Sequence, residues 1–250
     1  VTIRYRALVT YDGTAYQGFQ RQAGDTPTIQ LALEQAIARV SQQQTTVIGA
    51  GRTDTGVHAA GQVIAFDITW VHSDHDLLRA LNAVLPDDIA LRELVQHPGF
   101  HPRFDAQSRV YRYVIVHAVQ RQPLLSRYSW HLHGKLNVEA MQAAAKVLIG
   151  EHDFATFGAP PKGTNTVRTV MRSEWVSETQ PYGALLTYWI EANAFLQHMV
   201  RRVVGMLVDV GRGMRTAAQF EAAFREAKLA TAWTVAPPQG LFLEMVRYAS

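Results

Sequence analysis

Gly49-Ala50-Gly51-Arg52-Thr53-Asp54-Thr55-Gly56-Val57-His58-Ala59-Ala60-Gly61 is the stretch on which the reading of this chain turns. Four glycines in thirteen residues let the backbone take positive φ angles and let a ligand come close. A dinucleotide-binding loop wants glycine where Asp54 stands and an extended helix afterwards, and this stretch has neither. A phosphate-binding Walker loop needs Gly-Lys-Ser/Thr, which is absent. Thr45 to Ile48 on one side and Gln62 to Ile68 on the other read as strands, so the glycine-rich segment is a loop between two strands.

Working outward, Ile3 to Tyr11 reads as a strand ending in the turn Asp12-Gly13. Thr28 to Val40 has apolar residues at a helical period. Asp74 to Val84 reads as a helix stopped near Pro86, and Ile89 to Val95 as a strand. The order is β-α-β-β-α-β, that of ferredoxin-like domains. The second half runs similarly: a strand at Arg109 to Val116, a helix at Asn137 to Leu148 with Asn137 as N-cap, then strands at Val167 to Val176 and Ala184 to Ala192. A long helix from Phe195 to Val210, a helix at Thr216 to Ala227 and a strand at Leu241 to Tyr248 complete it. The expectation is an α+β chain of two ferredoxin-like halves, 1–104 and 105–250, with irregular stretches at 150–166 and 231–240.

Composition narrows the function classes. At 48% hydrophobic and 18% charged residues the chain is globular rather than disordered. Its apolar runs stop well short of the roughly 20 residues of a membrane span. The polar–apolar alternation of Val1 to Thr10 lacks the core of a signal peptide. The absence of cysteine excludes disulfides, thiolate nucleophiles and Cys-based metal sites, and fits a reducing, cytoplasmic setting. Arginine supplies 20 of the 24 basic residues; guanidinium forks suit phosphate and bases, although coding bias gives the same excess.

Three segments carry candidate chemistry. In the glycine-rich loop, Arg52 suits a phosphate and Asp54 suits nucleophilic or general-base work, the alternative being an Asx-turn closed by Asp54. Phe195 to Leu207 is apolar nearly all round yet holds Arg201 and Arg202, which need a carboxylate or phosphate; an internal ion pair with Asp209 or Glu191 is the structural alternative. On the strand from Ser108 to Val114, Arg109, Tyr111 and Tyr113 share one face, suited to stacking a base or to a plain core. His131 with His133, and the run from His72 to Asp76, lack an HExxH or third-ligand spacing, so no metal is expected. No Gly-x-Ser-x-Gly elbow supports a serine hydrolase.

Together these segments resemble the TruA family of tRNA pseudouridine synthases. The central match is Gly51-Arg52-Thr53-Asp54-Thr55-Gly56-Val57-His58, where Thr55 stands in place of the usual alanine. Tyr11-Asp12-Gly13, Gly18-Phe19-Gln20 and Phe100 to Ala106 fall in order, Pro102 standing where the family often has alanine. Tyr111-Arg112-Tyr113, Glu151 to Phe154, Thr166 to Thr169, Asn193 to Arg201 and Ala236 to Leu241 extend the match along the chain. The resemblance implies two halves whose antiparallel sheets merge across a cleft, a homodimer, no metal or organic cofactor, and action on tRNA at anticodon-arm positions 38, 39 and 40. It also implies Asp54 as the catalytic aspartate, Tyr111 as the active-site tyrosine and Arg201 as the arginine that pairs with the aspartate. Arg52 takes the place of the arginine that enters the stem as the base leaves it, Leu241 gives an apolar wall, and Arg109 and Arg168 are further RNA-binding positions. A non-catalytic tRNA-binding or folding module of the same fold is the alternative.

Overall fold

The computed structural model describes residues 1–160, 163–230 and 233–249. In chain order the elements are β1 (Ile3–Tyr11), α1 (Ile29–Ser41), β2 (Ile48–Gly49), β3 (His58–Ile68), α2 (Asp74–Asn82), β4 (Ile89–Gln96) and β5 (Ala106–His117). They continue with β6 (Trp130–Leu132), α3 (Val138–Lys146), β7 (Gly150–Asp153), β8 (Val167–Gln180), β9 (Gly183–Ala192), α4 (Met199–Gly211), α5 (Ala217–Arg225) and β10 (Leu241–Tyr248). The architecture is α+β, and the chain forms two compact units: Val1–Gln107 joined by the C-terminal strand from Phe242, and Ser108–Leu241.

In the first unit the sheet runs β4-β1-β3, with β2 pairing antiparallel and β10 parallel to β3. The alternating burial of β1 places Tyr5, Ala7, Val9 and Tyr11 in the core. α1 begins where the Thr28 side chain accepts the Leu31 N–H, and α2 where Ser73 accepts the Asp76 N–H. β2 is shorter than the strand expected from Thr45. The cause is α1: the Val47 N–H donates to Glu34 at 3.0 Å and the Val47 carbonyl accepts from Gln30 at 3.1 Å, so side chains take the bonds a ladder would have used. β3, by contrast, starts four residues earlier than expected, at His58.

In the second unit the order is β5-β9-β8-β7, antiparallel throughout, with β6 parallel to β5. Asn137 caps α3 by accepting the Ala140 N–H at 2.9 Å, and Thr216 with Gln219 forms a full capping box on α5. Ser173 ties β8 to α3 by donating to the Ala145 carbonyl at 2.7 Å. α4 starts at Met199, not Phe195. Its N-cap His198 is left-handed (φ 60°), and the Gln197 N–H goes to the Ala159 carbonyl at 3.1 Å, so tertiary bonds peel the first turn away. β7 occupies part of the stretch expected to be irregular; 161–162 and 231–232, within the two irregular stretches, lie outside the described residues.

Candidate active site

In the first unit the loop from Gly51 to Val57 is held at both ends and in the middle by groups outside it. At its entry the buried Gln62 amide donates to the Gly51 carbonyl at 2.7 Å and accepts the Gly51 N–H at 3.3 Å. In the middle, the Thr53 hydroxyl meets the Tyr11 hydroxyl at 2.8 Å, and the Thr53 carbonyl accepts the Phe19 N–H at 3.0 Å. At its exit His58 Nδ1 takes the Gly13 N–H at 3.1 Å and stands the same distance from Asp12 Oδ1.

Glycine is required where backbones touch. A Cβ on Gly13 would stand 2.0 Å from the Val57 carbonyl oxygen, and one on Gly18 2.7 Å from that of Thr53. Asp12 closes the Asx-turn of this region by accepting from the Thr14 N–H and hydroxyl at 3.0 and 2.6 Å. Within the loop the Asp54 carbonyl accepts the Val57 N–H at 3.1 Å, and Gly56 turns the chain at φ 73°. Thr53 is buried, Asp54 half-buried, and Arg52 and Thr55 exposed. The result is a rigid turn that presents one carboxylate beside one surface guanidinium. A carboxylate on such a turn can act as nucleophile or base.

The second unit holds the remaining expected residues. Arg109 and Tyr111 share a face of β5 with Tyr113. The Arg109 guanidinium donates to the Asn193 carbonyl at 2.9 Å, and Tyr111 lies edge-on to Phe195 with ring centroids 4.9 Å apart. Arg201, in the first turn of α4, donates through Nε to the Ala236 carbonyl at 2.8 Å, and its own carbonyl accepts the Ala236 N–H at 3.0 Å. Neighbouring links fix the same segment. The buried Asp209 carboxylate accepts the Thr234 N–H at 2.9 Å and hydroxyl at 2.6 Å, and Gly205 admits the Thr234 carbonyl against the helix.

Asp209 thus serves Thr234 with both of its oxygens, and Glu191 accepts from the Ser108 hydroxyl at 2.6 Å. Tyr113 donates to the Pro237 carbonyl at 2.8 Å. Burial pushes its hydroxyl well above the ordinary phenol value, while the positive charge of Arg201 opposes that shift. Gly240 lies flat on the Tyr113 ring, and Leu241 beside it is buried. Arg201, Tyr113 and the 234–241 segment are therefore one locked assembly.

Arg168 stands apart from that assembly, two strands away on β8. Its guanidinium donates to the Asn165 and Val167 carbonyls, and desolvation lowers its pKa. Of the supporting residues, sequence reasoning did not single out Gln62, named Tyr113 only as a face-sharing neighbour of Tyr111, and named Asp209 only as an internal ion-pair partner for the helix arginines. A glutamine five residues beyond the loop, at the start of a mostly apolar strand, and an aspartate inside an apolar helix were the available signals. His131 and His133 stack at 6.2 Å, and His131 contacts the Ala118 carbonyl. Among the described residues no three His, Cys, Asp or Glu side chains gather to hold a metal, and no helix is long and apolar enough to cross a membrane.

Residues 7–105 and 144–249 match the family model described as tRNA pseudouridine synthase. The chain is 43% identical over 247 residues to tRNA pseudouridine synthase A of Neisseria gonorrhoeae, covering 98% of this chain and 92% of that one. It is 40% identical to the enzyme of the same name from Pseudothermotoga lettingae, covering 98% and 99%, and 43% identical to that from Chloroflexus aurantiacus, covering 96% and 87%.

Proposed function

The chain belongs to the tRNA pseudouridine synthase family, and from that membership we propose that it isomerises uridine to pseudouridine in tRNA, at positions 38, 39 and 40 of the anticodon arm, with Asp54 as the catalytic carboxylate. The observation that carries the proposal is the Gly51–Val57 loop, clamped by Gln62, Tyr11, Phe19 and Gly13 so that Asp54 is presented on an immobile turn.

The reaction breaks the N1–C1′ bond and forms C5–C1′ with no net redox change, so it asks the protein for positioning, a carboxylate and proton transfer. The carboxylate attacks C1′, adds to the base or removes the ribose 2′ proton; each route uses Asp54 ionised. Tyr111 and Arg201 are proposed as the other catalytic residues, and Arg52, Arg109, Arg168 and Leu241 as contacts to the RNA. Extruding the uridine costs a few kcal/mol, which arginine insertion and stacking offset. A homodimer and a cytoplasmic setting belong to the same reading; light scattering that finds a stable monomer removes the first.

The test is tritium release from tRNA labelled at uracil C5, with wild type and Asp54→Asn side by side and no added metal. Wild type should release tritium, whereas Asp54→Asn should bind tRNA normally and lose turnover by several orders of magnitude. Substantial residual turnover would remove Asp54 from the chemistry. No release by either protein, despite tight tRNA binding, would favour the non-catalytic binding module.

A further inference from the structure

Phe104 is 77% exposed, and the turn that carries it is anything but loose. His101 Nδ1 accepts the N–H groups of both Arg103 and Phe104 at 3.2 Å. The Asp105 carboxylate accepts the His101 N–H at 2.8 Å, and the Asp105 N–H returns to the His101 carbonyl at 3.1 Å. From below, the Tyr248 hydroxyl donates to the Pro102 carbonyl at 2.8 Å, and Phe100 packs against Tyr248 with Arg6 over both rings. The His101 imidazole lies against one face of the Phe104 ring, centroids 4.1 Å apart and planes within 28°. Its other face is open to solvent.

An apolar ring held out to water by this many bonds packs one face on His101 and gives up most of the burial that would stabilise it. Its surroundings narrow the occupant. Arg103, Asp105 and Gln107 beside it are all exposed and polar. A surface that joins two protein copies needs a contiguous apolar centre, which this ring of polar groups does not supply. A single flat ring with a rim of polar groups fits a single flat ligand. Fixed in place, the ring also loses little entropy on stacking.

We propose that the Phe104 ring, backed by His101, is a stacking platform for one unpaired nucleobase of the RNA substrate, with the exposed Arg103 on its rim suited to the neighbouring backbone. This rests on the RNA-modifying function proposed above. Base–aromatic stacking tolerates any base, because every base has a π-face, so the platform contributes affinity and register rather than sequence choice.

The test compares wild type, Phe104→Ala and Phe104→Trp for tRNA affinity by filter binding, for pseudouridine formation at saturating and limiting tRNA, and for mass by sedimentation. Because the ring is exposed, Phe104→Ala should melt as wild type does. Its tRNA affinity should fall about 5-fold to 160-fold, the range of one lost base stack, with KM rising in parallel and kcat little changed. Phe104→Trp should restore binding to wild-type level or better.

Unchanged affinity in Phe104→Ala overturns the platform. So does unchanged affinity per assembled molecule together with dissociation of a wild-type oligomer, which would make Phe104 a protein contact. A wild type that binds tRNA without forming pseudouridine refutes the proposed reaction; weakened binding by Phe104→Ala would still support the platform.

Discussion

Gly13→Ala should damage catalysis through backbone displacement alone, because the nearest atoms its added methyl group meets are the backbone of Val57. The ideal Cβ would lie 2.0 Å from the Val57 carbonyl oxygen and 2.7 Å from its carbon, where real side-chain carbons keep at least 3.0 Å. Both partners are backbone, so no side chain can swing aside, and one strand of contact must retreat by about 1 Å, the difference between 3.0 and 2.0 Å. Val57 is tied to the Asp54 carbonyl by its N–H, and the next residue, His58, receives the Gly13 N–H. The retreat is therefore delivered to the Asp54 turn. A misplacement of about 1 Å at a reacting group costs on the order of 100-fold in rate, and overpacking of this size about 1–3 kcal/mol in stability.

Single-turnover pseudouridine formation at saturating tRNA, with urea denaturation in parallel, measures both terms. Gly134→Ala is the control. It imposes the same residue on a positive φ of 82° with nothing within 4 Å, so it should lose about 1 kcal/mol and leave the rate alone. A Gly13→Ala protein that folds as wild type and keeps its rate within about 3-fold, against the 100-fold expected, would refute the claim that this contact holds the catalytic turn.

Thr234→Val keeps the side-chain shape but removes the hydroxyl that donates to buried Asp209, so urea denaturation should show a loss of about 1.5–3 kcal/mol, the range for a hydrogen bond to a charged group. Turnover should fall as well, because Ala236, two residues on, anchors Arg201; a loss below about 0.5 kcal/mol would mean that water replaces the bond. At the surface of the first unit, Arg4 beside Asp67 holds that carboxyl below its ordinary value of 3.8. A depressed folded pKa gives stability that is present above 3.8 and lost as pH falls through the folded value. The stability difference between wild type and Asp67→Asn should thus be flat at neutral pH and vanish in strong acid. Both side chains are partly exposed, so it should stay below about 1 kcal/mol; a difference that grows in acid would contradict the assignment.

Residues whose neighbours in sequence are also their neighbours in space were legible beforehand. The alternation of β1, the cap at Asn137, and the final strand from Leu241 to Tyr248 all follow from local rules. The errors fall where distant groups take over backbone bonds. Glu34 and Gln30 claim Val47 and shorten β2, while Ala159 claims Gln197 and delays α4. The Gly150–Asp153 strand escaped because Gly-Glu-His-Asp has no β-forming pattern; its pairing with β8 is a tertiary fact. In the candidate site, Arg52 and Asp54 could be picked out from spacing and resemblance. The clamp could not, because its parts are separated by up to about fifty residues and their bonds run mostly to backbone.

That preference for backbone contacts also bears on Thr55 and Pro102, the two positions where the motif resemblance expects alanine. Gln62, Phe19, Gly13 and Gly18 bind or abut peptide groups of the loop, while Thr53 is also held through its side-chain hydroxyl by Tyr11. Loop geometry is consequently indifferent to what stands at position 55, provided that the residue faces out. Thr55 does: it is exposed, and its hydroxyl makes one long contact with Gln17 at 3.4 Å. Threonine in place of alanine therefore adds a hydroxyl and a methyl group at an exposed position, outside the contacts that hold the Asp54 turn. The same logic covers Pro102. Proline withdraws an N–H, but the contact that anchors this residue is accepted by its carbonyl from Tyr248, so the turn keeps its tether. Gly13 and Gly18 are, by the same account, present for close approach, because each admits a backbone carbonyl of the loop that a side chain would hold off, whereas Gly56 supplies the positive φ of the turn.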